Sequence, residues 1–348
     1  MIIKDAWYVA AWGDDLTTKP LARRICNVPL VLYRTASGEA AALIDRCCHR
    51  AAALSLGRVT DVGLECGYHG LVFDTKGACV HIPGQPRIPA SATVQSFQVV
   101  EKDALIWIWM GDAQAADPAQ IVDYPYHGDP VNWPFKHETM PIKANFALMV
   151  DNLMDLTHLG YVHVSTIGGN PIVHIEAEMK TERTPNGLKF TRWILDADVP
   201  PTIAAAVHFD GKADRWQEFE YVAPGVIKHF AGAVDANTGA RDQGKRDGGF
   251  AVRFFHGITP ETETSCFYFW SIANGYGQDN PSTTEEAHRS AKVAFAEDKV
   301  VIEEQQKRLT ELGETGLVDI RSDSARISMR RTLNALLSKE TAAEAPRD

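Results

Sequence analysis

Four residues in two short loops are the first in this chain that can do chemistry. Arg46-Cys47-Cys48-His49-Arg50 is followed, after sixteen intervening residues, by Cys66-Gly67-Tyr68-His69-Gly70, a C-x-H-x16-C-x2-H spacing. Each loop offers one thiolate and one imidazole. Two thiolates suit one ferric iron, and two neutral imidazoles suit an iron that cycles between ferrous and ferric. Cys47, His49, Cys66 and His69 therefore fit a mixed-ligand [2Fe–2S] cluster. Exchanging two thiolates for imidazoles removes negative charge and raises the reduction potential. Zinc is the competing reading, but zinc motifs usually pair Cys with Cys and His with His. Gly67 and Gly70 let the second loop turn tightly. Cys48 points the other way along an extended loop and is given no role.

A second constellation runs Asp151-Asn152-Leu153-Met154-Asp155-Leu156-Thr157-His158-Leu159-Gly160-Tyr161-Val162-His163. Residues 144–159 are helical in pattern. Asp155 and His158, three apart, then share a helix face, and the Asp155 carboxylate can accept a hydrogen bond from the free N–H of His158. His158 and His163, five apart, diverge on a straight helix. Gly160 between them can bend or end the helix so that both rings meet one metal. Two histidines and one carboxylate on one face of iron leave positions open for O2 and substrate. Asp298 is the candidate carboxylate. It sits inside an apolar helix stripe, Ala291, Ala294, Phe295, Val301, Ile302 and Leu309, and a buried lone acid needs a partner. Competing readings are local: Asp155 as a cap, the histidines as hydrogen-bonded core residues, Asp298 as a solvated acid. Glu297 is the next choice of ligand.

The elements that must position these groups are of two kinds. Residues 1 to about 110 read as short strands broken by Gly and Pro turns, a small all-β domain. The small, polar stretch 111–118 is a candidate boundary. Beyond it helices and strands mix, with a pair of strands over 250–272, a long amphipathic helix over 284–311 and another over 323–339. On the first of those strands Phe250, Val252, Phe254, His256 and Ile258 share a face whose one polar residue is His256. His256 is either a substrate contact or a hydrogen-bonded core residue. The 348 residues, 45% hydrophobic, suffice for two cores. A net charge of −10 argues against nucleic-acid binding. No apolar run long enough for a membrane span and no signal peptide is seen, so a cytoplasmic protein is expected. Six cysteines without an export signal point to metal rather than disulfides.

Taken in this order, the two motifs resemble those of the Rieske non-haem iron oxygenases, within them the branch of vanillate O-demethylase with its dicamba- and sulfonate-oxidising relatives. The likeness covers about residues 2–337. It is carried also by Asp5-Ala6-Trp7-Tyr8-Val9-Ala10 and by Ile258-Thr259-Pro260-Glu261-Thr262-Glu263-Thr264-Ser265. It implies an α+β chain. A Rieske all-β domain, 1–112, precedes a helix-grip (START-like) α+β catalytic domain, 113–340. The Ala/Glu/Pro-rich 341–348 is expected to be a disordered tail. By the resemblance, Cys47, His49, Cys66 and His69 ligate the cluster, while His158, His163 and Asp298 hold Fe(II). Asp155 bridges the cluster of one subunit to the iron of its neighbour in a head-to-tail homotrimer. Asn152 lies close to the metal, and His256 matches a contact to an aromatic acid. The chain departs from its relatives at Cys48, Leu71 and Arg289; the last stands where dicamba-type enzymes carry a substrate-facing Trp.

The implied activity is that of the terminal oxygenase of a multicomponent monooxygenase, using O2 and electrons from NAD(P)H through a separate flavin/iron–sulfur reductase. The expected reaction is O-demethylation of a methoxybenzoate such as vanillate, with release of formaldehyde. The alternative is a ring-hydroxylating or angular dioxygenase of an aromatic carboxylate. A separate reductase also agrees with the absence of a Gly-x-Gly-x-x-Gly turn after a strand and of a plant-type four-cysteine spacing. Two other classes compete. A Rieske electron carrier needs only the first motif and would hold two irons, against about three for the oxygenase. A zinc-stabilised binding protein would be colourless.

Overall fold

The structure, a computed structural model, describes residues 2–344. The chain divides into two compact units, one of Ile2–Asp123 with Thr259–Glu263, the other of Tyr124–Ile258 with the residues from Thr264.

The first unit is built from short strands. β1 (Trp7–Trp12), β10 (Val99–Lys102) and β11 (Leu105–Trp109) make one sheet, in the order β1-β11-β10. β2 (Leu21–Ile25), β3 (Val28–Arg34), β4 (Ala40–Ile44) and β9 (Ser96–Phe97) make a second. β5 (Arg58–Thr60), β6 (Gly63–Glu65), β7 (Val72–Phe73) and β8 (Cys79–His81) make a third. β1 and β11 are buried at every position, so they read as continuous apolar runs rather than alternating ones. The core beneath the two cysteine–histidine loops joins Val31, Tyr33, Leu43, Leu54 and Phe73 to both Cys47 and Cys66. Thr259–Glu263 belongs here through hydrogen bonds. Thr259 Oγ1 donates to Val9 O at 2.7 Å, and the Cys26 and Asn27 amides donate to Pro260 O and Glu261 O at 2.8 and 2.9 Å. The unit runs past residue 112 to Asp123, through short turns capped by Asp112 and Asp117.

The second unit is one seven-stranded sheet with helices. Its strands are β12 (Phe135–Ile142), β13 (Glu178–Thr184), β14 (Gly187–Ala197), β15 (Ala213–Val222), β16 (Val226–Asp235), β17 (Phe250–Thr262) and β18 (Ser265–Asn274). They lie in the order β12-β18-β17-β16-β15-β14-β13. The edge strand β13 is exposed from Glu178 to Arg183 and carries both signs of charge, which discourages pairing with another chain. The helices are α1 (Phe146–Met154), α2 (Leu159–Val162), α3 (Pro171–Glu176), α4 (Pro201–Ala206), α5 (Pro281–Leu312) and α6 (Ser324–Glu344). α5 packs on β12 and β18, and α1 packs on both α5 and α6, which is the helix-grip arrangement expected. The buried face of α5 is Ala291, Ala294, Phe295, Asp298 and Ile302. Val301, expected in that stripe, is 47% exposed. α6 carries through residues 341–344 of the expected tail; 345–348 lie outside the described residues.

Candidate active site

The two cluster loops have the same backbone form. In the first, Cys47 N–H donates to Ala52 O at 2.8 Å and Ala51 N–H to Cys47 O at 3.0 Å. In the second, Cys66 N–H donates to Leu71 O at 2.8 Å and Gly70 N–H to Cys66 O at 3.0 Å. The residue four after each cysteine takes a left-handed conformation, Ala51 at φ 56° and Gly70 at φ 72°. Gly67 is needed for a different reason: a Cβ there would stand 2.6 Å from Leu56 O. The two cysteines are buried and face each other, and burial pushes the Cys47 thiol up to about 11. His49 and His69 lie at the surface with ring centroids 4.5 Å apart, nearly edge-on. The thiols thus pair inside and the imidazoles outside, which suits two irons. One zinc would require all four donors to converge. Among the described residues, the one set of three or more metal-ligating side chains whose donor atoms all lie within 4.8 Å of one another is His158, His163 and Asp298.

That second set is assembled from a broken helix and a long one. α1 stops at Met154 because Asp155 leaves helical geometry, at φ −127° and ψ 112°. Its carboxylate folds forward onto Thr157 instead, accepting from the backbone N–H at 2.9 Å and from Oγ1 at 2.8 Å. This corrects the helical expectation for 144–159. The acceptor for His158 Nδ1–H is the Asp155 backbone carbonyl, at 2.6 Å, not the carboxylate. Gly160 is not the break either. It lies inside α2, where a Cβ would come 2.3 Å from Pro171 Cα, so its role is close packing of α2 on α3.

The donors meet at Asp298. Its Oδ1 lies 3.3 Å from His158 Nε2, 3.1 Å from His163 Nε2 and 3.0 Å from Asn152 Nδ2, which donates to it. Burial opposes the Asp298 charge, but the two imidazoles outweigh burial and hold the carboxyl at about 2. Burial likewise opposes a charge on His163, and Asp298 with Glu297 overcomes it and raises that pKa. His163 Nε2 is buried without a hydrogen bond. An orphaned ring nitrogen beside a carboxylate and a second imidazole fits a divalent iron. The remaining protons are held away from it: His163 Nδ1–H donates to Glu297 Oε2 at 2.7 Å, and Thr166 Oγ1 donates to the same oxygen at 3.1 Å. Glu297, weighed from sequence only as a spare ligand, instead orients His163, a candidate ligand.

The triad opens on a cavity of about 630 Å³. Sheet register arranges its wall in rows. Phe219, His229 and Phe254 line it and, with Phe190 beside them, are directly paired across β14, β15, β16 and β17. Their rings stack, at centroid distances of 4.6, 3.9 and 5.0 Å. One row nearer Asp298, His256 is buried, and its Nδ1 pairs with the Tyr268 hydroxyl at 2.7 Å. Burial pushes His256 down to about 3, against the opposing charge of Asp298, and pushes His229 well below its ordinary value. Both rings present a buried, unpartnered Nε2. His229 was missed from sequence, although Ile227, His229 and Ala231 share a face as plainly as the residues around His256. Arg289 lines the cavity from α5 and is exposed. No described helix is long and apolar enough to cross a membrane.

Comparison with known proteins fits this geometry. Residues 6–98 match the Rieske [2Fe-2S] domain, and residues 142–339 match the vanillate O-demethylase oxygenase C-terminal domain. The chain is 41% identical to the putative toluene-4-sulfonate monooxygenase system iron-sulfur subunit of Comamonas testosteroni, over 99% of this chain and 100% of that one. It is 36% identical to a vanillate O-demethylase oxygenase subunit of a Pseudomonas species, over 98% and 96%. Among solved structures, dicamba monooxygenase bound to dicamba superposes with a TM-score of 0.90 at 34% identity, covering 97% of this chain and 98% of that one.

Proposed function

The chain belongs to the Rieske non-haem iron oxygenases of the vanillate O-demethylase type, and from that premise we propose that it hydroxylates a substituent of a small aromatic acid, with a methoxybenzoate such as vanillate as substrate. The observation that carries the reading is the His158–His163–Asp298 triad opening on a cavity walled by stacked rings. When bound, the cluster supplies electrons singly and the ferrous ion offers open positions for O2.

The chain's own residues do the rest. Cys47, His49, Cys66 and His69 hold the cluster. The Asp155 carbonyl and Glu297 hold the Nδ1–H protons of His158 and His163, leaving both Nε2 lone pairs for iron. Asn152 holds Asp298 in place. His256 and His229 are neutral and offer Nε2 to a polar group of the substrate. The stacked rings exclude water from the reacting carbon. The overall change is an aryl methyl ether, O2, NAD(P)H and a proton giving a phenol, formaldehyde, water and NAD(P)+. Oxygen enters the methyl C–H bond, and the resulting hemiacetal loses formaldehyde. Electrons come from a separate flavin/iron–sulfur reductase, in the cytoplasm where NAD(P)H is plentiful. The working assembly is a head-to-tail trimer in which Asp155 faces the cluster of the partner subunit.

A second reading has its own support. The 41% identity to a toluene-4-sulfonate monooxygenase subunit over nearly the whole chain favours hydroxylation of a ring methyl group, which yields a benzylic alcohol and no formaldehyde. Purified oxygenase with a surrogate reductase, given methoxybenzoates and toluene sulfonates, separates the two. Formaldehyde from a methoxybenzoate, one per O2 consumed, is expected. Alcohol from the sulfonate alone would establish the second reading. Uncoupled O2 consumption with every acid would remove both.

A further inference from the structure

Two arginines lie buried in the cavity wall, and they differ in one respect. Arg192, on β14, is engaged. Its Nη1 contacts Leu156 O at 3.3 Å and His174 Nδ1 at 3.2 Å, and its Nη2 donates to His174 O. Arg215, on β15, is 7% exposed, and its side chain makes no hydrogen bond or ion pair with any described residue. Its Nε is buried without a partner. Asp198 acts on it through space but forms no ion pair. Burial lowers its pKa to about 10, with Asp198 opposing, so the guanidinium stays charged at neutral pH. An ionised group nine-tenths buried and unpaired is costly unless a counter-charge arrives.

We propose that Arg215 is the anchor for the oxyanion of the substrate, a carboxylate or sulfonate on an arene. The inference rests on the aromatic-acid reading above and specifies which residue selects the acid. Register supports the geometry. Arg215 is paired with Ile194 and Ala233, while Arg192 is paired with Gln217 and Phe190 with Phe219. The wall therefore passes from a cationic row, through Gln217, to the ladder of stacked rings and then to His256 beside the triad. Arg215 and Phe219 are separated by about 13 Å of strand, a gap that a guanidinium arm and one substituted ring fill between them. The planar fork matches either oxyanion with two parallel hydrogen bonds. Arg215 and Asp298 line the same cavity, so an arene held by its acid group at Arg215 lies in the space on which the triad opens.

The test is calorimetric binding to the full-length holoprotein. Probes are 4-methoxybenzoate and 4-methylbenzenesulfonate, each against its neutral amide. The wild type is expected to bind each acid about tenfold or more tighter than its amide. In Arg215→Gln that preference should vanish, with amide affinity unchanged and the visible spectrum of the cluster retained. Arg215→Lys keeps charge without the fork, so its preference should fall at least about threefold; it also serves if the glutamine variant fails to fold. A wild-type preference near one, or a preference undiminished in the variants, overturns the anchor. If acids are oxygenated yet bind independently of Arg215, the anchor fails and the aromatic-acid reading stands. If no acid binds and a neutral arene is oxygenated, both fail.

Discussion

Glu297 is placed to set the proposed iron site without being one of its ligands. Its carboxylate accepts from His163 Nδ1 at 2.7 Å, which fixes the ring and its tautomer, while its neighbour Asp298 turns inward. Removing such a partner typically costs about 10–100-fold in metal affinity. We predict that Glu297→Gln loses mononuclear iron on dialysis by about that factor. Asp298→Ala should lose it altogether, and both should keep the cluster absorbance. Iron and acid-labile sulfide analysis reads both at once. Full iron retention in Asp298→Ala would move the carboxylate role elsewhere.

At the scale of elements, the site depends on where a helix stops and how closely the next ones pack. α1 must end at Met154 so that His158 and His163, on either side of the four-residue α2, turn toward α5. α2 is pressed on α3 through Gly160, with no room for a methyl group. Gly160→Ala should therefore cost about 1–3 kcal/mol, lowering the melting temperature by about 3–10 °C. Iron should be lost with it, because the strain falls on the segment that carries both histidines. A thermal scan and iron assay showing neither change would mean that α3 moves freely. α3 is also pinned by His174, whose Nε2–H donates to Gly168 O at 2.6 Å while Nδ1 accepts from Arg192. Burial, aided by the nearby arginines, lowers its pKa from 6.5 to about 4. In that window the unfolded chain binds a proton that the folded chain refuses, so stability falls as pH drops below 6.5 and is complete above it. The slope is at most about 1.4 kcal/mol per pH unit from this group. His174→Gln should flatten it, as read from urea midpoints at neutral and mildly acidic pH. An unchanged slope would assign the acid sensitivity to other groups.

At the scale of the whole molecule the question is how electrons leave the cluster. Asp155 is half-buried, and one of its oxygens is occupied by Thr157. The other remains for a donor from elsewhere, and in the proposed trimer that donor is His69 of the partner subunit. Asp155→Asn keeps the Thr157 contacts through its amide oxygen but presents an N–H2 where an acceptor stood. The prediction is that both metal centres and substrate affinity persist while product formation collapses. Rapid mixing of the pre-reduced variant with O2 and substrate decides it. Cluster reoxidation and product yield at the wild-type rate would leave Asp155 as a cap.

What was legible in the sequence was what short-range backbone geometry controls. The two cysteine–histidine loops and the Asp155–His163 stretch stand out because candidate ligands on one loop or one broken helix must lie within a few residues of one another. Asp298 was legible for another reason: an acid inside an apolar stripe contradicts the pattern of its own helix. By residue type alone Arg192 and Arg215 look alike, each an arginine on a strand. Only the tertiary structure separates them, because whether a buried guanidinium finds a partner depends on groups brought in by other elements, His174 and Leu156 for one and none for the other. The same holds for His158, whose acceptor is a carbonyl and not the adjacent carboxylate. Spacing determines which residues can meet, but hydrogen-bond partners are set by where a helix ends and what packs across it.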